Sequence, residues 1–461
     1  MPTLSTAEGM GGTMPDLPLS GIRIIEPGQV WALPYAINPL AAYGAEVIKV
    51  ESTVRPDSSR GGPQPDSQVE GDAWNNGGAY HEVNRNKLGL SLNLNTQRGK
   101  DLFKELVSVS DVVAQNFPPR VMRNFGLDYP ELKKSKRDII VLDSTAYGST
   151  GPWQNYIGYG SSIQAVTGLT YLTGYECGEP VQGGILYNDI LGALTATYAI
   201  LLAVAHRKRT GEGQWIDLSQ YQSGVVQLGE AFMDYSMNES IPTRRGNSHP
   251  NFAPYGLYPC SGDDAWIAIT ITSDAEWMNF RRAVGEEWAE DVEMETTEGR
   301  LNHRKKLDAD IGKWTSSRDK HEVMHQLQSS GVACGAVNNT REITTDPHLG
   351  DRDFFRVSNH PAPIGPRPHA SPLFNLMGVQ RPLDRLAPTL GQHNRYVICD
   401  VLGYDDEQYQ ELEEAQVIGH IPDNQGVTPP PDPEALLRMG FLAEYDRDYK
   451  KRLGIEPGEN I

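Results

Sequence analysis

The first half of the chain alternates between short β-branched runs and stretches with helical spacing. "GIRIIEP" reads as a strand, "ALPYAINPLAAYG" as a helix closed by Gly44, and "AEVIKVES" as a second strand. A loop rich in Gly, Pro, Asp and Ser runs from Ser52 to Gly78. Then "KLGLSLNLN" alternates as a strand, "TQRGKDLFKELVSVS" follows as an amphipathic helix, and "DVVAQNF" and "DIIVLDSTAYG" read as further strands. Strands separated by helices predict a parallel sheet covered on both faces. Such sheets bind ligands at the carboxyl ends of their strands, which singles out the residues after "RIIEP", "VIKVE", "VVAQN" and "IVLDS".

After "GQWIDLSQYQ" the pattern changes. "LYPCSGDDAWIAITIT" predicts a hairpin turning at Ser261, Gly262 and Asp263, and helices fill the chain to about Gly331. "GVACGAVNNTREITTDPHL" and "APTLGQHNRYVICDVLGYDDEQYQELEEAQVIG" resume an α/β style, and the tail from His420 is expected to wrap the outside. The run from Ile190 to Ala205 reads as a buried helix, and its most apolar stretch, around "AILLAVAH", is too short and too interrupted to span a bilayer. Asp189 stands at its start. One reading makes it a helix N-cap, worth about 1 kcal/mol. The other makes it an oxygen nucleophile presented by the helix. The residues alone leave both open.

A length of 461 residues exceeds one compact core and predicts more than one domain. The formal charge of −19 weighs against nucleic acid or an anionic membrane as partner. An anionic small ligand stays compatible, because local donors hold phosphates. The four cysteines are scattered without a C-x-x-C pair, which gives no disulfide framework and points to the reducing cytoplasm. Residues 1–17 lack a basic n-region and an apolar h-region and read as a flexible leader. "HEVMH", His321 to His325, places two histidines at i and i+4 around a glutamate, as zinc proteases do. It lies in a short charged helix without a persuasive third ligand, so it reads as solvated surface and no metal is expected. No G-x-G-x-x-G, G-x-x-x-x-G-K-[ST] or G-x-S-x-G motif occurs in a suitable context.

Several segments, in order, resemble the class III CoA-transferases, whose relatives include formyl-CoA and carnitine-type CoA-transferases and the α-methylacyl-CoA racemases. They are "LSGIRIIEPGQVWALPYAINPLAAYGAEVIKVE", "NRNKLGLSLNLNTQRGKDLFKELVSVSDVVAQNF", "AYGSTGPW", "RTGEGQWIDLS", "GNSHPNFAPYGLYPC", "GVACGAVN", "DPHL" and "LGQHN". The resemblance implies an α/β fold with a Rossmann-like large domain, an inserted small α+β domain and an interlocked-ring dimer. The large domain would take 18–225 and 356–461, with a connector at 226–249 and the small domain at 250–355. Asp189 matches the aspartate that attacks an acyl-CoA thioester, so CoA would move between two acids through an aspartyl anhydride and an aspartyl–CoA thioester. Coenzyme A, as acyl-CoA substrate, would be met by Val30, Asn86, Lys87, Asn116, Phe117, Arg123 and Arg60, the last of which is otherwise an exposed loop arginine.

Three departures shape the expectation. Tyr159 stands where racemases carry a catalytic histidine, and racemisation needs an acid/base pair. Gly160 replaces an acidic residue, and Asn124 replaces an arginine, with Arg123 and Arg120 nearby. Trp31, Tyr159 and Gly160 would then face the substrate, and Trp31 with Gly160 hints at a bulky or aromatic acyl group such as a substituted succinate, with succinyl-CoA as donor. The expected partners are an acyl-CoA, a carboxylic acid, and a second chain in a homodimer or a heteromer. An acyl-CoA isomerase or racemase, and a non-catalytic subunit of a heteromeric transferase, are the alternatives.

Overall fold

A computed structural model describes residues 17–371, 374, 376–379 and 382–455. The leader expected over 1–17 lies, except for Leu17, outside the described residues. The chain divides into two compact units. The first comprises the described residues up to Thr167, Gly184–Gly229 and the chain from Pro347, and the second comprises Gly168–Gly183 and Glu230–Asp346. The second unit thus takes in residues 168–183, which lie inside the span read as large domain, and 230–249, read as a connector.

The first unit is built on six parallel strands, β1 (Arg23–Glu26), β2 (Glu46–Glu51), β3 (Leu88–Ser91), β4 (Val112–Gln115), β5 (Ile140–Thr145) and β6 (Trp215–Ser219). Their order is β3-β2-β1-β4-β5-β6, so the direction of winding reverses between β1 and β4. The apolar runs are continuous because both faces are buried. Ile24, Val47, Val112, Ile140 and Leu142 pack on one face with Leu33 and Ile37 of α1 (Ala32–Ala42). Their neighbours Ile25, Ile48, Val113 and Val141 pack on the other with Leu102, Phe103 and Leu106 of α2 (Gln97–Ser108).

The "LGQHN" segment has a structural task. His393 Nδ1 accepts from Gly89 N at 3.0 Å and Asn394 Oδ1 from Ser91 N at 2.8 Å, so two side chains satisfy donors along the free edge of β3. His393 must be neutral to accept, and burial pulls its pKa down to about 4. The tail from His420 lies over the loop after β2, where Asp423 N donates to Thr53 O and Lys450 pairs with Asp66 at 2.7 Å. The hairpin β10 (Phe355–Asn359) and β11 (Pro366–Ala370) belongs to this unit as well.

The second unit carries the antiparallel sheet β7 (Tyr255–Pro259), β8 (Trp266–Thr270) and β9 (Ala333–Ala336). Its core gathers Ile267, Ile269, Trp277, Phe280 and Trp314. The "HEVMH" helix, Lys320–Ser329, is part of this unit, with His325 exposed and His321 3.8 Å from Glu342. Among the described residues no three His, Cys, Asp or Glu side chains are grouped to hold a metal ion.

Two helices frame the site, the short α3 (Gly160–Thr167) and the long α4 (Tyr187–Thr210). The apolar stretch in α4 was expected to be buried and too short for a bilayer, and the structure corrects both points. The helix is uninterrupted for 24 residues, with a window of mean hydropathy 1.5, long and apolar enough to cross a membrane by length and composition. Only Asn188, Gly192, Ala193, Ala196, Ile200 and Ala203 are buried. The small side chains of Gly192, Ala193, Ala196 and Ala203 let α4 lie close to α1, and Thr197 Oγ1 donates to Ala36 O at 2.7 Å. The bulky residues Leu194, Tyr198, Leu201 and Leu202 face outward.

Candidate active site

A cavity of about 770 Å³ opens at the carboxyl ends of β1 to β5, as the strand pattern predicts for a parallel sheet. Its wall comes from the residues that follow β1 to β5, among them Val30, Trp31, Arg55, Asn116 and Tyr147, and it reaches Asp189 and Gln220.

The loop after β1 is held from below by buried charges. Lys87 Nζ lies 2.7 Å from Glu26, Lys49 Nζ 2.9 Å from Asp57, and Arg60 forks onto Glu51 with Nε and Nη2 at 2.8 and 2.7 Å. All six side chains are buried. Arg60 also covers the Tyr80 ring at 3.7 Å, and Tyr80 Oη donates to Glu51. Burial works against the charge on Glu51, but the Arg60 guanidinium outweighs it and brings the carboxyl down to about 2. Burial pulls Lys87 down to about 8 against the attraction of Glu26. Lys49 donates to Gly28 O, and Asp57 accepts from Val30 N at 3.0 Å. Val30 sits at φ +72°, a costly conformation for a β-branched residue, which the Asp57 contact helps to fix. From the other side Asn116 pairs its amide with Gln29, accepting from N at 2.9 Å and donating to O at 2.8 Å.

Asp189 occupies the third position of α4, after Leu186 as N-cap, and its side chain caps nothing. This removes the N-cap reading. Among the described residues the carboxylate has neither an ion pair nor a hydrogen bond, and burial pushes it up to about 6. The helix N-terminus favours the ionised form, yet the loss of water prevails. A carboxylate of this kind is ionised at neutral pH and weakly solvated, which suits an oxygen nucleophile. Asn188 beside it is wholly buried and donates to Gln220 O at 3.1 Å, tying the start of α4 to the chain after β6.

The structure brings together Val30, Trp31, Asn116, Phe117, Tyr159, Gly160 and Asp189 on this one cavity. It does not bring Arg60, Asn86, Lys87 or Arg123 there. Arg60 is neither an exposed loop arginine nor a free cation, because Glu51 and Tyr80 enclose it. Lys87 is bound to Glu26, Pro34 O and Asn84. Asn86 accepts from Arg385 N, and Arg123 is exposed away from the wall. Gly160 leaves no vacancy at this point of the wall, since Asp189 fills the space beside it.

Residues that the sequence reading missed include Arg55, an exposed cation on the wall without a partner among the described residues, and the aromatic group of Tyr147, Trp153, Tyr156 and Tyr221. Tyr147 and Tyr156 reach the wall. Trp153 stacks on Tyr156 with centroids 6.0 Å apart. Arg120 is also on the wall, exposed, donating to Asn155 O. Arg55 follows "VIKVE" and Tyr147 follows "IVLDS", so the strand-end rule carries the signal for both.

Comparison with known proteins agrees with this geometry. The family model described as CoA-transferase family III matches residues 19–394. Succinyl-CoA–D-citramalate CoA-transferase of Chloroflexus aurantiacus is 31% identical over 412 residues, covering 89% of this chain and 100% of that one. A probable CoA-transferase of Mycobacterium tuberculosis is 32% identical over 410 residues, 87% of this chain, and the chain spans about half (50%) of that protein. The crystal structure of a CaiB/BaiF family protein from Brucella suis superposes with a TM-score of 0.75 at 29% identity, covering 84% of this chain and 99% of the other.

Proposed function

We propose, because this chain belongs to CoA-transferase family III, that it moves CoA from an acyl-CoA donor to a second carboxylic acid with Asp189 as nucleophile. The observation that carries this reading is the Asp189 carboxylate, largely desolvated and without a partner among the described residues, on a cavity of about 770 Å³ at the strand ends. Asp189 attacks the thioester carbonyl carbon, the C–S bond breaks, and CoA leaves as its thiolate from an acyl–aspartyl anhydride. The thiolate then attacks the aspartyl carbonyl and expels the donor as a carboxylate, leaving an aspartyl–CoA thioester. The acceptor carboxylate attacks that thioester, and the released thiolate attacks the acceptor's carbonyl in the new anhydride. Asp189 returns as a carboxylate with no net gain or loss of protons. Both intermediates are hydrolysed by water, so a dry nucleophile is a requirement.

Arg55 and Arg120 meet the CoA phosphates in place of Arg60 and Arg123, being the arginines on the wall that retain outward-facing donors. Succinyl-CoA, which the Chloroflexus relative uses by name, is the donor to try first. Trp31, Tyr147, Tyr156 and Tyr159 favour a bulky or aromatic acceptor such as a substituted succinate, for instance benzylsuccinate. A second chain, as an interlocked homodimer or a heteromer, would cover the outward apolar face of α4. The racemase reading lacks support, because no histidine among the described residues lines the cavity.

The test is intact-protein mass spectrometry after incubation with succinyl-CoA and hydroxylamine, which converts an activated aspartate to its hydroxamate. We expect one adduct on the peptide "GGILYNDILGALTATYAILLAVAHR" and none in Asp189→Ala, whose transfer rate falls by roughly 10³-fold or more. No adduct with any acyl-CoA offered, or an adduct that persists in the variant, removes Asp189 from the chemistry.

A further inference from the structure

Gly160 is the first residue of α3 and is buried. A Cβ built on it would lie 2.7 Å from Asp189 Oδ2, 2.9 Å from Asp189 Cγ and 2.9 Å from Leu186 Cβ. Cβ atoms do not approach heavy atoms that closely, so something must give way. Leu186 is a poor candidate, because its Cβ moves only with the backbone at the start of α4. That backbone is fixed by its neighbours. Asn188 is fully buried and bonded to Gln220 O, and a Cβ on Gly224 would sit 2.5 Å from Asn188 Nδ2. Asp189 is the group that can yield, by rotating its carboxylate about χ1.

Nothing in the backbone demands glycine here. The φ angle of Gly160 lies outside the positive region where side chains are strained. Alanine would also be the better helix former by propensity. The requirement therefore comes from contact with Asp189 and Leu186. We propose that Gly160 is a positioning residue: its bare Cα is the surface against which the Asp189 carboxylate rests, and any side chain at 160 turns the nucleophile away from its present place. Oδ2 is the oxygen nearer Gly160, which leaves Oδ1 to lead the attack. Where the lack of an acidic side chain at 160 hinted at a bulky acyl group, the glycine instead sets the place of Asp189. The kinetic consequence rests on the proposed role of Asp189, while the steric claim stands without it.

The experiment is a double-mutant cycle of wild type, Gly160→Ala, Asp189→Ala and the double variant, followed by thermal unfolding and by transfer kinetics with succinyl-CoA. Gly160→Ala should lower the unfolding midpoint by roughly 2–4 °C. In the Asp189→Ala background that drop should shrink by at least half, the remainder belonging to Leu186. Equal drops in both backgrounds overturn the proposal. Should Gly160→Ala fail to fold, recovery of a folded protein in the double variant supports the contact, and failure of both overturns it. Folded Gly160→Ala should show kcat reduced about 100-fold with KM for succinyl-CoA within about twofold, as a misplaced reacting group gives, whereas unchanged kcat beside a wild-type adduct at Asp189 overturns the proposal. Hydroxylamine trapping on the wild type reports separately on the nucleophile: without an adduct that reading falls, and the stability cycle still decides whether Gly160 and Asp189 are in contact.

Discussion

The first unit holds two sets of charges, and they are treated in opposite ways. Beneath the loop after β1, Glu26, Glu51 and Asp57 meet Lys49, Arg60 and Lys87 with their side chains shut away from water. On the cavity wall, Asp189 and Arg55 have no ionic partner among the described residues, and Arg120 gives one donor to a backbone carbonyl. Charge that is already neutralised holds shape, as the contacts of Lys49 to Gly28 and Asp57 to Val30 illustrate. Charge left unneutralised in a cavity is available to a ligand. Residue type alone does not separate the two sets, because both contain arginine and aspartate.

The largest effect that separates them is on stability. Arg60→Ala leaves Glu51 buried without its guanidinium and uncovers the Tyr80 ring, and breaking a buried pair in this way costs about 3–5 kcal/mol. Denaturant unfolding should show that loss. A variant of near wild-type stability whose only defect is weaker acyl-CoA binding would return Arg60 to the ligand and break the comparison.

Arg55→Ala should do the reverse. Its side chain is exposed on the wall, so unfolding should change by no more than about 0.5 kcal/mol. Steady-state kinetics should show KM for the acyl-CoA raised about tenfold, equivalent to about 1.4 kcal/mol, with kcat nearly unchanged. The effect should weaken as salt rises, since an exposed arginine–phosphate pair is screened. An unaltered KM would mean that Arg55 takes no part in holding the phosphates.

The comparison also explains what the sequence discloses. Strands β1 to β5 are readable because burial on two faces forces continuous apolar runs such as "RIIE" and "IVLDST", and the position of the cavity follows from their carboxyl ends. Asp189 is readable as an anomaly, a carboxylate at the head of an apolar helix. Arg60 and Lys87 are offered to the ligand by the family resemblance, while the structure pairs them with Glu51 and Glu26, long-range contacts that local sequence does not disclose. The hairpin β10–β11 escapes notice for a related reason. "FRVSN" and "PRPHA" have little apolar alternation, and each is a strand because it pairs with the other. The outward face of α4 is hidden too, since most of the inner stripe is Gly and Ala while Leu194, Tyr198, Leu201 and Leu202 lie outside.

The smallest expected effect bears most directly on the wall. An aspartate held at about 6 in the folded chain, against 3.8 for the free group, binds its proton more tightly when folded. Between those values the folded state carries more protons than the unfolded one, so this residue makes stability fall as pH rises from about 4 to 6. Above pH 6 the penalty is constant, at most about 3 kcal/mol, and remaining contact with water reduces it to about 1 kcal/mol. Asp189→Asn removes the ionised group without changing its size. The variant should therefore unfold at higher denaturant than the wild type at pH 8, with the difference vanishing near pH 4. With Asp189 in its proposed role, kcat/KM of the wild type should rise about tenfold per pH unit below 6 and level off above it, as attack by the carboxylate requires. A stability difference that is the same at pH 4 and pH 8 would show that Asp189 is as well solvated as a surface carboxylate, and the line between the neutralised interior and the unneutralised wall would then not run through this residue.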